Sequence, residues 1–326
     1  MLISVIAPMY NEEANIIRTY NELEAELSRF SEMDYEILFI DDGSTDNSLT
    51  KAEKLAAEKK CLKVYGYPKN QGRGMALRTG FENAKGDLII TIDFDLSYSA
   101  DHIGKMIDVL VKESDIDAVF VSAYMPGGMT VGVPKFRLFV SKIGNLVYRN
   151  VFSTKIYTST CVVRGYRRDA IKYLLLTEKD KEIHLEIISK LLANGFNIKE
   201  IPGILTKRSV GKSKFKFSKT SISHLIYFIH EKPFMLFGLI GVFFIVLGII
   251  SSGIIFYTRF AGDSVFEASF VGRIVSPNFV ILNYIFGFQF IAIGFLGLQN
   301  SILKKEFFRV QKQIEFHFSK KYENKQ

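Results

Sequence analysis

Cysteine is scarce in this chain of 326 residues: Cys61 and Cys161 stand alone, without the short spacing that grips a metal. That excludes a disulfide framework and a cysteine zinc site, and fits reduced, structural thiols in a cytoplasmic setting. No Gly-x-Gly-x-x-Gly follows the first predicted strand, which argues against a dinucleotide-dependent dehydrogenase, and no Gly-Lys-Ser/Thr loop supports a P-loop NTPase. Internal repeats, low-complexity tracts and proline-rich linkers are missing as well. The opening residues, Met1-Leu2-Ile3-Ser4-Val5-Ile6, lack the basic start of a signal peptide, so membrane insertion is expected through later segments.

Charge is missing from two long stretches. Residues 234–257 are uncharged and rich in Ile, Phe, Leu, Val and Gly; as a helix they would be about 36 Å long, enough to cross a hydrocarbon core. A second uncharged run covers 274–303, with 279–298 its most apolar part. Buried helices of a soluble core would ordinarily show polar residues at helical spacing, so a transmembrane hairpin is expected. Lys207, Arg208, Lys212 and Lys214 precede the first span and Lys304, Lys305 and Arg309 follow the second, whereas the connecting loop offers only Arg259 and Arg273 against Asp263 and Glu267. Both termini should therefore face the cytoplasm. The net charge of +8 gathers beside the spans, where each cation gains about 1 kcal/mol from an anionic leaflet, so lipid headgroups are the expected partner and nucleic acid is not.

The implied organisation is a soluble domain over 1–215, a juxtamembrane interfacial helix over 216–233, two spans with a short external loop over 234–303, and a basic cytoplasmic tail over 304–326. Within the first domain, strands are predicted at 3–7, 35–40, 62–67, 88–92 and 118–122. Helices over 12–30, from about 44 to 60, to 84, and over 100–112 separate them. Alternation of this kind implies an α/β fold with a mostly parallel, Rossmann-like sheet, which binds ligands beyond the carboxyl ends of its strands. Asp93 and Asp95 leave such an end one residue apart, as an Asp-x-Asp pair suited to Mg²⁺ or Mn²⁺ whose shell is completed by substrate phosphate. Asp41 and Asp42 follow the second strand, where a carboxylate can accept from a base or ribose. Gly72, Arg73 and Gly74 follow the third, where backbone N–H groups can approach phosphate at a helix start. The set points to a nucleoside diphosphate linked to a group for transfer.

Four ordered segments then carry a resemblance. Ser4-Val5-Ile6-Ala7-Pro8-Met9-Tyr10-Asn11-Glu12, Ile40-Asp41-Asp42-Gly43-Ser44-Thr45-Asp46, Asn70-Gln71-Gly72-Arg73-Gly74 with Leu77-Arg78-Thr79-Gly80, and Asp93-Phe94-Asp95-Leu96 together resemble the family 2 glycosyltransferases of GT-A fold. The nearest branch is the polyprenyl-phosphate group, which includes dolichyl-phosphate mannose synthase and undecaprenyl-phosphate sugar transferases with two C-terminal spans. The resemblance implies an inverting, metal-dependent transfer from a UDP- or GDP-linked sugar to a polyprenyl phosphate. It implies that Pro8, Tyr10, Glu12 and Asp42 line the nucleotide pocket and that Asp93 and Asp95 hold metal. Arg137 and Ser141, on one face of a helix from 134 to about 150, would meet the lipid phosphate, and Arg208 and Lys212 would close over the substrate.

Three departures from the family pattern bear on the donor: Ser97 stands where Gln is frequent, Ser122-Ala123-Tyr124 supplies no Arg after the fifth strand, and Thr158 to Arg164 replaces a Thr-Ser-Gly-Phe-Arg segment. A phosphate acceptor needs no general base, and His102 and His184 are read as packing or surface residues, while Glu182 and Glu186 could line the acceptor side or face solvent. Two other readings remain open: a membrane glycosyltransferase that extends a glycan at a sugar hydroxyl, and an inactive nucleotide-sugar scaffold. Homo-oligomerisation is left open too.

Overall fold

The computed structural model describes residues 1–134, 156–206, 233–261 and 276–323, with positions 138, 141, 142, 145 and 149 between the first two ranges. Of the expected site residues, Arg137, Arg208 and Lys212 lie outside the described residues, as do all but the last position of the expected interfacial helix over 216–233. The chain divides into two compact units, one comprising residues 1–215 with 312–326 and the other residues 216–311.

In the first unit, apolar runs buried on both faces become the central strands: β1 (Leu2–Met9), β2 (Asp34–Asp41), β4 (Leu88–Thr91) and β5 (Ala118–Ser122), the last two without one exposed position. Such continuous burial is the mark of a sheet covered on both sides. β3 (Leu62–Gly66) forms one edge. Helices α1 (Ile16–Leu27), α2 (Ser48–Glu58), α3 (Arg73–Asn83) and α4 (Asp101–Lys112) return the chain between successive strands. α1 buries Ile16, Tyr20, Leu23 and Leu27 at helical spacing.

Further on come β6 (Met129–Val131), β7 (Arg164–Arg167), α5 (Arg168–Lys172), α6 (Ile183–Ala193), β8 (Ile198–Pro202) and β9 (Ile204–Thr206). The main sheet has the order β3-β2-β1-β4-β7-β5-β8, and β6 pairs with β9 in a separate ribbon. β7 is the one antiparallel member, wedged between β4 (Thr91 opposite Arg164) and β5 (Ala118 opposite Tyr166). The expectation of a mostly parallel α/β sheet holds, with this one insertion.

α1 starts at Ile16 rather than at the predicted residue 12. Asn11 takes a left-handed φ of 51°, and the next residues form a turn in which Asn15 N donates to Glu12 O at 2.8 Å and Asn15 Nδ2 to the Glu12 carboxylate at 2.7 Å. Residues that the apolar pattern would assign to a helix are thereby kept as loop at the sheet edge.

The second unit holds α7 (Pro233–Ala261) and the start of α8 (Pro277–Glu323). Residues Leu236–Phe260 and Pro277–Leu303 are long and apolar enough to cross a membrane. Glycines let the two helices approach closely: a Cβ on Gly287 would lie 2.5 Å from Ile245 Cγ1 and 3.0 Å from Gly241 O, and one on Gly241 would lie 2.7 Å from Gly287 O. Small residues at an interhelical seam are how apolar helices pack where no hydrophobic force drives them together. α8 continues without a break past the span through the basic segment that begins at Lys304.

Candidate active site at the carboxyl edge of the sheet

β1 lies between β2 and β4, so the chain first builds outward through β2 and β3 and then crosses to the other side of β1. That reversal opens a crevice at the carboxyl ends of β1 and β4, where sheets of this kind take their ligands. Pro8 is half-buried at the end of β1, with Tyr10 half-buried and Glu12 buried beyond it. The loop is tied to its neighbour: Asn11 N donates to Ser44 Oγ at 2.9 Å and Glu12 N to Ser48 Oγ at 2.8 Å. Asp41 is buried and accepts from Ser44 N at 3.0 Å and from the Ser44 hydroxyl, closing the 41–44 turn.

Asp42 does more internal work than its expected nucleotide role implies. Its Oδ1 accepts from Tyr67 OH (2.8 Å), Gln71 N (2.9 Å) and Gly72 N (3.0 Å), and its Oδ2 from Asn70 Nδ2 (2.8 Å). A carboxylate has about four acceptor positions, so this one braces the 67–72 loop with most of its capacity. Gly72 and Gly74 also have an internal reason. A Cβ on Gly72 would fall 2.5 Å from Lys179 O and one on Gly74 2.5 Å from Glu178 O, and Gly72 takes φ of 99°. Backbone of the 178–180 segment occupies the space that a side chain at either position would need.

The Asp93–Asp95 loop is held from below. Phe94 is buried and meets Phe39 edge-on at 4.7 Å between ring centroids, while Thr19 Oγ1 donates to Phe94 O at 2.7 Å. The backbone turns at residues 94 and 95, and with Phe94 anchored beneath, the flanking Asp93 and Asp95 are each left half-buried. Leu96 N donates to Asp93 O at 3.0 Å, Leu96 takes a left-handed φ of 51°, and Ser97 N donates to Asp95 Oδ1 at 3.0 Å. A non-glycine residue in that region persists only where its surroundings hold it. Arg73 Nη2 stands 3.5 Å from Asp93 Oδ1, a partly exposed pair worth about 0–1 kcal/mol, so its larger effect is to bring a cation to the crevice. Among the described residues no group of three His, Cys, Asp or Glu side chains forms a metal cage. Two hard carboxylates with coordination positions to spare fit Mg²⁺ or Mn²⁺, which ordinarily retain water and phosphate oxygens.

The surrounding titratable groups are structural. Burial pushes the Cys161 thiol up to about 12, and the nearby Asp93 charge adds to the shift, so this thiol is inert. His102 is buried; its Nδ1 lies 2.9 Å from Ser99 O and its Nε2 accepts from Ile204 N at 3.2 Å. His184 is buried on α6. Of the two roles left open, both histidines take the packing one. Glu186, offered above for the acceptor side or a solvated face, is not on a solvated face: it is buried and receives Thr177 N (2.9 Å), Glu178 N (3.0 Å) and Lys190 Nζ (2.7 Å). Burial alone would raise its carboxyl, but Lys190 and the backbone donors outweigh that and hold it below the usual carboxylate range.

Ser141 Oγ accepts from Tyr124 OH at 3.0 Å. Arg164 was quoted above only as the end of a departing segment. It is fully buried, donates to His184 O (3.0 Å) and Ser159 O (2.6 Å), and stacks 4.2 Å above the Phe120 ring. An arginine inside a four-residue strand gives no periodic signal of burial, which is why the sequence did not reveal its role.

A family model described as glycosyl transferase family 2 matches residues 4–175. An undecaprenyl-phosphate 4-deoxy-4-formamido-L-arabinose transferase from Shewanella sediminis is 30% identical over 303 residues, covering 90% of this chain and 86% of that protein. A dolichol-phosphate mannosyltransferase from Pyrococcus furiosus is 30% identical over 228 residues, covering 69% of this chain and 62% of its own length. Among solved structures, glucosyl-3-phosphoglycerate synthase from Mycobacterium tuberculosis, crystallised with Mn²⁺, UDP-glucose and phosphoglyceric acid, superimposes with a TM-score of 0.51 at 17% identity. The match covers 70% of this chain and 79% of that one, and supports the GT-A-like sheet.

Proposed function

We propose, from the premise that this chain belongs to the family 2 glycosyltransferases, that it moves a sugar from a nucleoside-diphosphate donor to a polyprenyl phosphate at a membrane surface. The observation that carries the reading is the half-buried pair Asp93 and Asp95 on a loop fixed by buried Phe94, at the β1–β4 crevice of a chain that also bears two span-length apolar helices. The polyprenyl-phosphate acceptors named for the relatives support the choice of acceptor.

The chemistry asks little of the protein by way of proton transfer. A phosphate monoester has a second pKa of about 6 and is largely dianionic near neutral pH, so its oxygen attacks C1 of the sugar without a base. The bond from that oxygen to C1 forms as the bond from C1 to the donor's β-phosphate oxygen breaks, with inversion at C1. A divalent cation held by Asp93 and Asp95 would neutralise charge on the departing nucleoside diphosphate. Arg73, beside Asp93, adds positive charge on the same side. Pro8, Tyr10 and Glu12 line the nucleotide side, with Asp41 and Asp42 shaping it through the loops they brace. Arg137 and Ser141 hold the lipid phosphate, and Arg208 and Lys212 close the site, leaving the protein to orient the partners and exclude water. The two apolar helices anchor the chain in the membrane, with both termini on the cytoplasmic side.

The test is to incubate the purified full chain with Mg²⁺ or Mn²⁺, a panel of UDP- and GDP-linked sugars and a short prenyl phosphate, with mass spectrometry of the lipid fraction. A prenyl-phospho-sugar from at least one donor is expected. No such lipid from any donor would overturn the proposal.

A further inference from the structure

We propose that the β6–β9 ribbon is the face by which the catalytic domain seats itself on an anionic lipid surface, an inference that rests on the membrane-facing reading above. The ribbon is short and two-sided. Met129 pairs with Ile204 and Val131 with Thr206, and because side chains alternate along a strand, Met129, Val131 and Ile204 share one face while Thr130 and Leu205 share the other. Leu205 packs against the core. The opposite face is open: Met129 is 57% exposed, Val131 50% and Ile204 43%, and Pro126, Pro134 and Pro202 beside them are exposed too. Apolar side chains gathered on one exposed face mark a docking surface more often than chance exposure.

Charge identifies the occupant. The ribbon's two segments, 124–134 and 201–206, carry no charge, and they run directly into Lys135 and Arg137 on one side and Lys207 and Arg208 on the other. No aspartate or glutamate occurs between Asp117 and Asp169, or between Glu200 and Glu231. An apolar tip flanked by cations and cleared of acids suits the headgroup boundary of an anionic bilayer, where apolar residues enter the interface and basic ones meet phosphate. A protein partner would call for no such purge of one charge sign.

The ribbon is also wired to the crevice. Thr206 N and Oγ1 both donate to Ser97 O, at 2.9 and 3.0 Å, and Ser97 N in turn donates to Asp95 Oδ1 at 3.0 Å. His102 receives Ile204 N, and Gly203 N donates to Ser122 O at 3.0 Å, at the carboxyl end of β5. Seating the ribbon on lipid therefore places the Asp93–Asp95 loop at headgroup depth, where a lipid phosphate resides.

The chain contains no tryptophan, so a single one reports its own surroundings. Met129→Trp is placed in the full chain, reconstituted in phosphatidylglycerol/phosphatidylcholine vesicles with or without bromine on the acyl chains. Val111→Trp is the control: Val111 is 46% exposed in the last turn of α4, and its neighbour Leu110 O receives Arg167, which pairs with Leu88 at the amino end of β4, the far edge of the sheet. Brominated lipid should lower emission from the residue-129 probe by about twofold or more and leave the residue-111 probe unchanged. Removing phosphatidylglycerol should weaken the quenching. Equal insensitivity of the two probes overturns the proposal, as does a blue-shifted residue-129 probe that bromine does not quench, because protein would then cover the face. Undiminished quenching in neutral vesicles overturns the commitment to an anionic surface. The readout is independent of turnover, so quenching in a chain that transfers no sugar upholds the docking face and removes the transferase reading.

Discussion

Replacing Asp42 with alanine tests whether that carboxylate is a brace or only a ligand contact. Four donors lose a charged acceptor: Tyr67 OH, Asn70 Nδ2, Gln71 N and Gly72 N. A hydrogen bond to a charged group contributes about 1.5–3 kcal/mol, but Asn70 and Gln71 are exposed and water can serve their donors. Counting chiefly Tyr67 and Gly72, both half-buried, the expected cost is about 3 kcal/mol. For a unit of this size that corresponds to a fall in Tm of about 6–12 °C. The assay is thermal unfolding of the purified full chain without nucleotide or metal, followed by circular dichroism. Asp42→Asn, which keeps one acceptor oxygen, should fall between the two. A variant with alanine that melts within about 1 °C of the parent, yet binds donor poorly, would refute the brace and return Asp42 to the nucleotide pocket alone.

Two further outcomes follow from the geometry. Glu186 is held below the usual carboxylate range by Lys190 and backbone donors, so the stability it contributes is complete above the unfolded value of about 4.3 and is lost as pH falls through its lower folded value. Glu186→Gln should flatten that acid limb and, by leaving Lys190 buried without its charge partner, cost about 3 kcal/mol near neutrality; an unchanged acid-unfolding profile in chemical denaturation would contradict this. Arg137→Ala should raise KM for the prenyl phosphate about tenfold, by loss of a charge-assisted contact, with donor affinity unchanged in direct binding; equal loss of both would remove Arg137 from the acceptor side.

The sheet was legible where apolar runs were buried on both faces, as at Leu88–Thr91 and Ala118–Ser122, since length and β-branching distinguish them from helix. The two carboxylates were legible because a strand end in such a sheet is a place of known use. What escaped has physical reasons. Arg164–Arg167 inserts antiparallel between β4 and β5, and that placement depends on partners distant in sequence, which no local pattern reports. α1 was expected four residues early because the turn at Glu12–Asn15 is set by side-chain bonds that periodicity does not register. The glycines at 72 and 74 suggested phosphate contact, and only the fold shows Lys179 and Glu178 carbonyls in the space they leave. The ribbon at Met129 and Ile204 joins segments about 75 residues apart, each too short for an alternation to stand out.

Transfer by this chain is expected to depend on Asp93 and Asp95 above all, and Asp95→Ala is the decisive variant. Nucleoside diphosphate release and prenyl-phospho-sugar formation are measured together, with Mn²⁺ or Mg²⁺ titrated, on parent and variant reconstituted at equal amounts in vesicles. The parent should release one diphosphate per acid-labile lipid product, and the variant, while still inserting, should lose both. Undiminished turnover in that variant, or a sugar joined through an acid-stable glycosidic bond, would contradict this.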